Sequence, residues 1–214
     1  MENIIQVSHV NKSFQKKDNV LQDICVDFVQ GKIHGIVGKN GSGKTVLLKI
    51  ICGLMSPTSG TVTVAGKQLG KDVDFPDDMG IIIEAPGFLP YHSGYRNLEY
   101  LASLRHRIGK EEIHAAMQRV GLDPLMKKRV GKYSLGMKQR LGLAQAIMEN
   151  PSLLILDEPM NGLDKTGIAD MHTLLREFKE EGKTILLVSH STEDIDVLCD
   201  TVHEMDRGVL TFVR

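Results

Sequence analysis

Residues 38 to 45 read Gly-Lys-Asn-Gly-Ser-Gly-Lys-Thr. Gly38, Gly43, Lys44 and Thr45 fall at the spacing of a P-loop, in which small residues let the backbone wrap its amides around phosphates. Lys39, Asn40, Gly41 and Ser42 fill the loop between them, and Val46 follows it. Lys44 is placed to reach β and γ phosphates, and the Thr45 hydroxyl to ligate magnesium. The apolar run Ile33–Val37 predicts a strand feeding the loop, and residues 45 to 53 predict a helix leaving it. Phosphate then sits on a helix N-terminus, where free amides and the positive dipole end hold an anion. A nucleoside triphosphate with magnesium is the expected ligand.

Further along, the four apolar residues 153 to 156 end in Asp157 and Glu158. That arrangement puts two carboxylates at the C-terminal edge of a buried strand, where ligands of open α/β sheets bind. The segment resembles a Walker B motif. Asp157 is expected to hold magnesium through water, and Glu158 to act as general base or to orient the attacking water. Asn161-Gly162-Leu163-Asp164 follows, and a second apolar run, 185 to 188, leads into Ser189 and His190 at the same edge. Histidine there can hydrogen-bond a γ phosphate or the water, because its ring donates and accepts near neutral pH. The other seven histidines lack metal-ligand spacing and read as surface or satisfied core residues. Between the two motifs lies Tyr133-Ser134-Leu135-Gly136-Met137-Lys138-Gln139-Arg140. Ser134 is a good N-cap for a helix whose free amides could grip a phosphate, and taken alone the segment reads as an ordinary capped core helix.

The elements that position these groups are read from changes of hydrophobic period. Residues 4–10, 24–29, 61–65 and 80–83 are short apolar stretches divided by Gly, Asp or Pro, and predict strands. Residues 95–107, 110–120 and 135–148 predict helices separated by Gly109, Gly121, Pro124 and Gly131. From Ser152 the pattern is strand, helix, strand, with Ile168, Met171, Leu175 and Phe178 on one core stripe of a helix over 165–181 and Gly182 as its stop. Such alternation predicts a parallel sheet with crossover helices. The expected architecture is a single α/β domain of P-loop type with an antiparallel β portion. Residues 1–85 and 150–214 form its nucleotide-binding core, and 86–149 an inserted helical subdomain carrying the Ser134 segment.

Bulk properties narrow the partners. At 214 residues and 42% hydrophobic content the chain can bury one sizeable core. Twenty-six basic against 27 acidic residues leave no general attraction for phosphate backbones, so nucleic acid is not an expected partner. Cys25, Cys52 and Cys199 are odd in number and widely spaced, which argues against a disulfide framework and a zinc cluster and for a reducing cytosol. No basic start followed by an apolar stretch and no run of 18 apolar residues is present, so neither an export signal nor a membrane span is expected. Work at a membrane would require docking on something that spans it.

The set GKNGSGKT, SLGMKQRLG, LLILDEP, NGLD and VSH, in that order, resembles the nucleotide-binding domain of ABC transporters over essentially the whole chain. The resemblance implies an ATPase whose two copies pair head to tail, each ATP clamped between one P-loop and the partner's signature helix. Ser134, Leu135, Gly136 and Met137 would then act in trans, with Ser134 and Gly136 on the γ phosphate. Asp164 would match the D-loop aspartate at the seam and His190 the switch histidine. Phe14 stands where an aromatic residue stacks on adenine, and a core position at a strand end suits it as well. Two departures stand out. The usual Leu-Ser-Gly-Gly-Gln reads Tyr-Ser-Leu-Gly-Met here, and Glu84 replaces the glutamine that senses magnesium and the membrane partner. Methionine lacks glutamine's hydrogen bonds, and a carboxylate binds magnesium more strongly than an amide. Both features resemble the bacterial subgroup of bacitracin-resistance and lantibiotic self-immunity ATPases. It implies separate transmembrane permease subunits, a cytoplasmic location on the inner face of the membrane, and a peptide antibiotic as cargo. Residues 85–95 would line the groove for a membrane subunit or form local core, and the basic run Lys127, Lys128, Arg129, Lys132 and Lys138 reads as a solvated face. A soluble ABC protein remodelling a ribosome or DNA complex is the rival reading, with a small-molecule kinase behind it.

Overall fold

Strands β3 (Ile33–Val37), β7 (Leu153–Asp157) and β8 (Thr184–Val188) are almost wholly buried, as expected of strands covered on both faces. The computed structural model describes residues 2–14, 19–84 and 87–214. With β6 (Met79–Ile82), β9 (Thr201–Asp206) and β10 (Val209–Phe212) these strands form a six-stranded sheet in the order β10-β9-β3-β8-β7-β6. All its pairings are parallel except the β9–β10 hairpin. A second, antiparallel sheet runs β2-β1-β4-β5, from β1 (Asn3–Ser13), β2 (Asn19–Val29), β4 (Ser59–Val64) and β5 (Lys67–Gln68).

Alternation along the central strands divides the interior. Leu153 and Ile155 of β7 join a cluster with Leu47 and Ile51 of helix α1 (Lys44–Ile51) and with Ile5, Val7 and Phe28 of the antiparallel sheet. Leu154 and Leu156 point the other way, into a cluster with helices α2 (Gly94–Arg105), α3 (Lys110–Arg119), α4 (Leu135–Ile147) and α5 (Lys165–Glu180). Period 2 on a doubly covered strand thus builds a sandwich with the parallel sheet as its middle layer. Helix α6 (Thr192–Leu198) packs Ile195 against Gly35 of β3.

The expected strands and helices appear with shifted ends, each for a local reason. Ala65 leaves β4 because it and Gly66 take left-handed φ values of 47° and 75°, the pair a tight hairpin turn requires. Helix α2 stops at Arg105, since His106 is a left-handed C-cap at φ 52°. The expected junction at 85/86, and Ala85 at the start of the 85–95 segment, lie outside the described residues.

One expectation about the histidines is corrected. His34 is satisfied, with Nδ1 2.7 Å from Thr201 Oγ1 and Nε2 2.8 Å from the Val29 carbonyl. His203, by contrast, buries Nδ1 without a partner among the described residues, its ring edge-on to Phe28 and Phe212 at 5.4 Å. Burial, helped by the neighbouring His34, pushes the His203 pKa down to about 4, and burial also lowers that of His34. An unfolded histidine titrates near 6.5, so below that pH the unfolded chain binds protons the folded one refuses. This contribution to stability is complete above pH 6.5 and is lost as pH falls towards 4. Thermal midpoints followed by circular dichroism should drop across that window. His203→Phe, which keeps a ring but cannot titrate, should flatten the drop; an unchanged slope would exclude His203 as its source.

Candidate functional site

The loop from Gly38 to Gly43 is built on backbone conformations that side chains disfavour. Gly38, Gly41 and Gly43 have φ of 148°, 79° and 113°. A Cβ on Gly38 would come within 2.2 Å of the Met205 carbonyl oxygen of β9, so glycine is required by space as well as by torsion. Helix α1 begins at Lys44 with Gly43 as its N-cap, without a side-chain cap bond and without an acidic residue in its first turn. Its leading amides therefore face the loop with the positive dipole end uncompensated. Ser42 Oγ is buried without a partner among the described residues. Lys44 is itself buried, its Nζ donating to the carbonyls of Gly38 (2.6 Å) and Lys39 (3.0 Å).

A cleft of about 710 Å³ opens over this loop. Asn40, Gly41, Gly43, Lys44, Thr45 and Val46 line it together with Glu84, Asp157 and Glu158, the three carboxylates singled out in the sequence. Thr45 Oγ1 donates to Asp157 Oδ2 at 2.8 Å, which ties the first turn of α1 to the end of β7. Burial raises the Asp157 pKa; the Thr45 bond and Lys44 oppose that, while Glu158 and Glu84 add to it. Its carboxylate is thus short of positive charge.

Glu158 holds a left-handed φ of 52°, an unfavourable conformation for its residue type that brings its backbone amide to the Val188 carbonyl at 2.9 Å. Gln139 Nε2 reaches its carbonyl at 3.2 Å, and its Oε2 lies 2.8 Å from His190 Nδ1. Such strain persists where surrounding bonds over-determine it, as at binding sites. Glu84 shows the same signature, with φ of 61°, and pairs with Lys49 Nζ at 2.6 Å.

The turn bearing His190 is held from below by residues that sequence reading missed. Buried Asp194 receives Ser189 Oγ on one oxygen (3.2 Å) and lies 2.8 Å from His172 Nε2 on the other. Ser191 caps α6 by accepting from the Asp194 amide. Serine followed three residues on by an acid is a helix-start pattern that could have located α6; the His172 contact comes from α5 and no local pattern announces it.

The Ser134 segment lies beside the Asn161–Asp164 turn of the same chain. Ser134 caps α4 by accepting from the Met137 amide at 3.2 Å and is exposed, while Tyr133 is core. Leu135 is 63% exposed yet presses on Gly162, where an added Cβ would sit 2.3 Å from Leu135 Cδ2. A Cβ on Gly136 would lie 3.2 Å from the Gly162 carbonyl oxygen. Asp164 caps α5, accepting from the Gly167 amide at 2.9 Å. Leu135, Gln139 and Asn161 also reach the cleft. Phe14 is 57% exposed with Lys12 Nζ 5.3 Å from its ring centroid, so the core alternative for it does not hold. It is not among the cleft's lining residues, and Val20 of β2 is. Lys127, Lys128, Arg129 and Lys132 are exposed, as a solvated face requires.

The family model described as "ABC transporter" matches residues 21–161. An uncharacterized ABC transporter ATP-binding protein, YybJ of Bacillus subtilis (strain 168), is 44% identical over 207 residues, covering 97% of this chain and 94% of its own. The chain belongs to the ABC transporter family. It is accordingly an ATP-binding ATPase subunit. The bacitracin transport ATP-binding protein BcrA of Enterococcus faecalis is 40% identical over 212 residues, 98% of this chain and 68% of that one. A dimeric ATP-binding cassette solved in a post-hydrolysis state with ADP and Pi superposes with a TM-score of 0.86 at 21% identity, over 98% and 99% of the two chains, and shows the same fold.

The close approach at Gly38 predicts that Gly38→Ala lowers the thermal midpoint by several degrees, corresponding to about 1–3 kcal/mol of strain, and abolishes retention on ATP-agarose. Wild-type stability in that variant would mean the loop tolerates a side chain.

Proposed function

We propose that the chain powers a separate transmembrane permease by binding and hydrolysing magnesium–ATP between two copies of itself, with a peptide antibiotic as the cargo class. The observation that carries this reading is the meeting, in one cleft, of the glycine loop, the Thr45–Asp157 hydroxyl–carboxylate pair and Glu158, whose carboxylate pairs with His190 on the adjoining surface. The buried, unpartnered Ser42 Oγ and the uncapped start of α1 suit a polyphosphate, and the Thr45–Asp157 pair suits a hard cation. Magnesium held by Thr45 and Asp157 would neutralise phosphate charge. Glu84 supplies a further oxygen in the same cleft.

The chain's own groups then divide the work. Backbone amides of residues 39 to 45 and the Lys44 ammonium counter the negative charge of the phosphates. The Glu158 carboxylate takes the proton of the attacking water, and His190 holds that carboxylate in place through Nδ1. The Asp194–Ser189 bond fixes the backbone from which His190 projects. Ser134 and Leu135 are exposed at a helix start, with Gly136 and Met137 half-buried beside them, and these four residues are proposed to meet a second copy; Asp164 lies beside them at the proposed seam. Phe14, exposed at the end of β1, is the proposed adenine-stacking residue.

Residues 86–149 are proposed to form the subdomain that meets the permease. Among the described residues no helix is long and apolar enough to cross a membrane, which fits attachment through such a partner at the cytoplasmic face. Antibiotic cargo rests on the likeness to the bacitracin transport protein and on Glu84 with the Ser-Leu-Gly-Met signature.

Glu158→Gln should keep ATP binding, form an ATP-stabilised dimer on size exclusion and lose about a hundredfold or more of hydrolysis. Undiminished turnover by this variant refutes Glu158 as base. Glu84→Gln removes the charge that pairs with Lys49, so its ATPase activity should require more magnesium for half-saturation. Superimposable magnesium titrations of variant and wild type would remove Glu84 from the metal site.

A further inference from the structure

We infer that His9, Asp23 and Cys25 form a binding site for a zinc-type divalent cation on the antiparallel sheet, separate from the nucleotide cleft. Their ligand atoms, an imidazole nitrogen, a carboxylate oxygen and a sulfur, all lie within 4.8 Å of one another. His9 Nδ1 is 2.7 Å from Asp23 Oδ1 and 3.5 Å from Cys25 Sγ. A tetrahedral ion with Zn–S of about 2.3 Å and Zn–N of about 2.0 Å separates sulfur from nitrogen by about 3.5 Å. The sulfur and the ring nitrogen already stand at that spacing. The carboxylate has to withdraw by about 0.6 Å, to the roughly 3.3 Å expected between nitrogen and oxygen ligands, and its exposed side chain leaves room for that.

Strand register produces the cluster. Val10 pairs with Ile24, and both are buried, so their neighbours His9, Asp23 and Cys25 turn to solvent. A register shift between Val7 and Val10 breaks the ladder at His9, which takes φ of 52°, with Asp23 at 49° on the facing strand. With left-handed backbone at His9 and at Asp23, the three side chains come together.

The surrounding bonds fix the ligand residues from outside. Asn11 Nδ2 donates to the His9 carbonyl at 3.0 Å, and Asn11 Oδ1 accepts from the Asp23 amide at 2.9 Å, so one side chain clamps both backbones. The same Nδ2 lies 3.2 Å from Ser59 Oγ at the start of β4. Gly60 closes on His9 from β4, where an added Cβ would meet the His9 carbonyl oxygen at 2.3 Å. The His9 amide itself points at Cys25 Sγ, 3.2 Å away, a donor for a metal-bound thiolate. Supporting bonds of this kind orient metal ligands and tune their affinity. A thiolate with an imidazole favours zinc-type ions over magnesium or calcium, which prefer oxygen donors, so this site and the nucleotide cleft select different cations. Three protein ligands leave a fourth position for water.

The test uses the untagged full-length chain, reduced, without nucleotide, titrated with cobalt(II) as the spectroscopic probe. One equivalent should produce thiolate-to-cobalt charge-transfer absorption and tetrahedral visible bands, and zinc should bleach both. Cys25→Ser should abolish the charge-transfer band, His9→Ala should weaken binding tenfold or more, and Asn11→Ala should weaken it by about tenfold while leaving the band's shape. Circular dichroism confirms that each variant is folded; Cys25→Ser alone, at an exposed site, suffices if another fails. Absence of the band in wild type, or its persistence in Cys25→Ser, overturns the site. ATP hydrolysis plays no part in this readout, so its outcome is independent of the nucleotide reading.

Discussion

The loop from Gly38 to Gly43, proposed to bind phosphate through its backbone, would have to keep donors unpaired inside a folded protein, and its surroundings are organised around that requirement. Ser42 Oγ is buried without a partner among the described residues, α1 starts without a side-chain cap, and Lys44 is tucked under the loop on two carbonyls. The first two are unfavourable in isolation, because buried polar groups normally pair, and the third buries an ammonium against neutral carbonyls. Close packing on both sides holds the loop in spite of it. Gly38 rests on the Met205 backbone of β9 and Gly43 on Leu21 and Val20 of β2, so both sheets clamp the turn from outside. Behind it, Leu47, Leu48 and Ile51 are fully buried and anchor α1 between the sheets.

Opposite those donors stand three carboxylates, and their partners show how like charges share one cleft. Asp157 takes the Thr45 hydroxyl, Glu158 the His190 ring and Glu84 the Lys49 ammonium. The pairing differs in kind with depth. Glu84, exposed, has a full countercharge; Asp157, half-buried, takes a neutral hydroxyl, and burial raises its pKa. A carboxylate kept short of positive charge beside the glycine loop suits the proposed divalent cation. Left-handed φ at Glu84 and Glu158 places those strained residues at the ends of neighbouring strands β6 and β7, where the chain turns into the cleft.

Much of this was legible in the residues, because the decisive signals are local. Glycines at fixed offsets, continuous apolar runs ending in acids, and Ser or Asp one residue before a helix each encode a conformation within a few positions, and Ser134 and Asp164 both cap as their types suggest. What escaped depends on tertiary contacts. Lys49 pairs across 35 positions with Glu84, and His172 across 22 with Asp194. His203 reads as an ordinary strand residue, and only the packing of β9 between β10 and β3 shows that its Nδ1 is orphaned. The His9 cluster is invisible for the same reason: a bulge in the β1–β2 register sets which side chains meet, and bulges leave little trace in composition.

Leu135 and Gly162 illustrate how a departure in one motif is matched in another. Leucine after Ser134, where related signatures carry glycine, adds a large apolar side chain at an exposed helix start. That side chain needs a surface, and Gly162 provides one, since any Cβ there would collide with Leu135 at three carbons, the nearest 2.3 Å away. Gly162 is also held at φ 78°, which side chains disfavour. Two independent constraints therefore select glycine at 162, one from its own torsion and one from its neighbour's bulk. The contact joins the start of α4 to the turn that ends in the Asp164 cap of α5, so the two segments form one packed surface in place of two loops. Because the Leu135 contact is made within the chain, the entropy of ordering this surface falls on folding, and the proposed pairing with a second copy would not have to supply it.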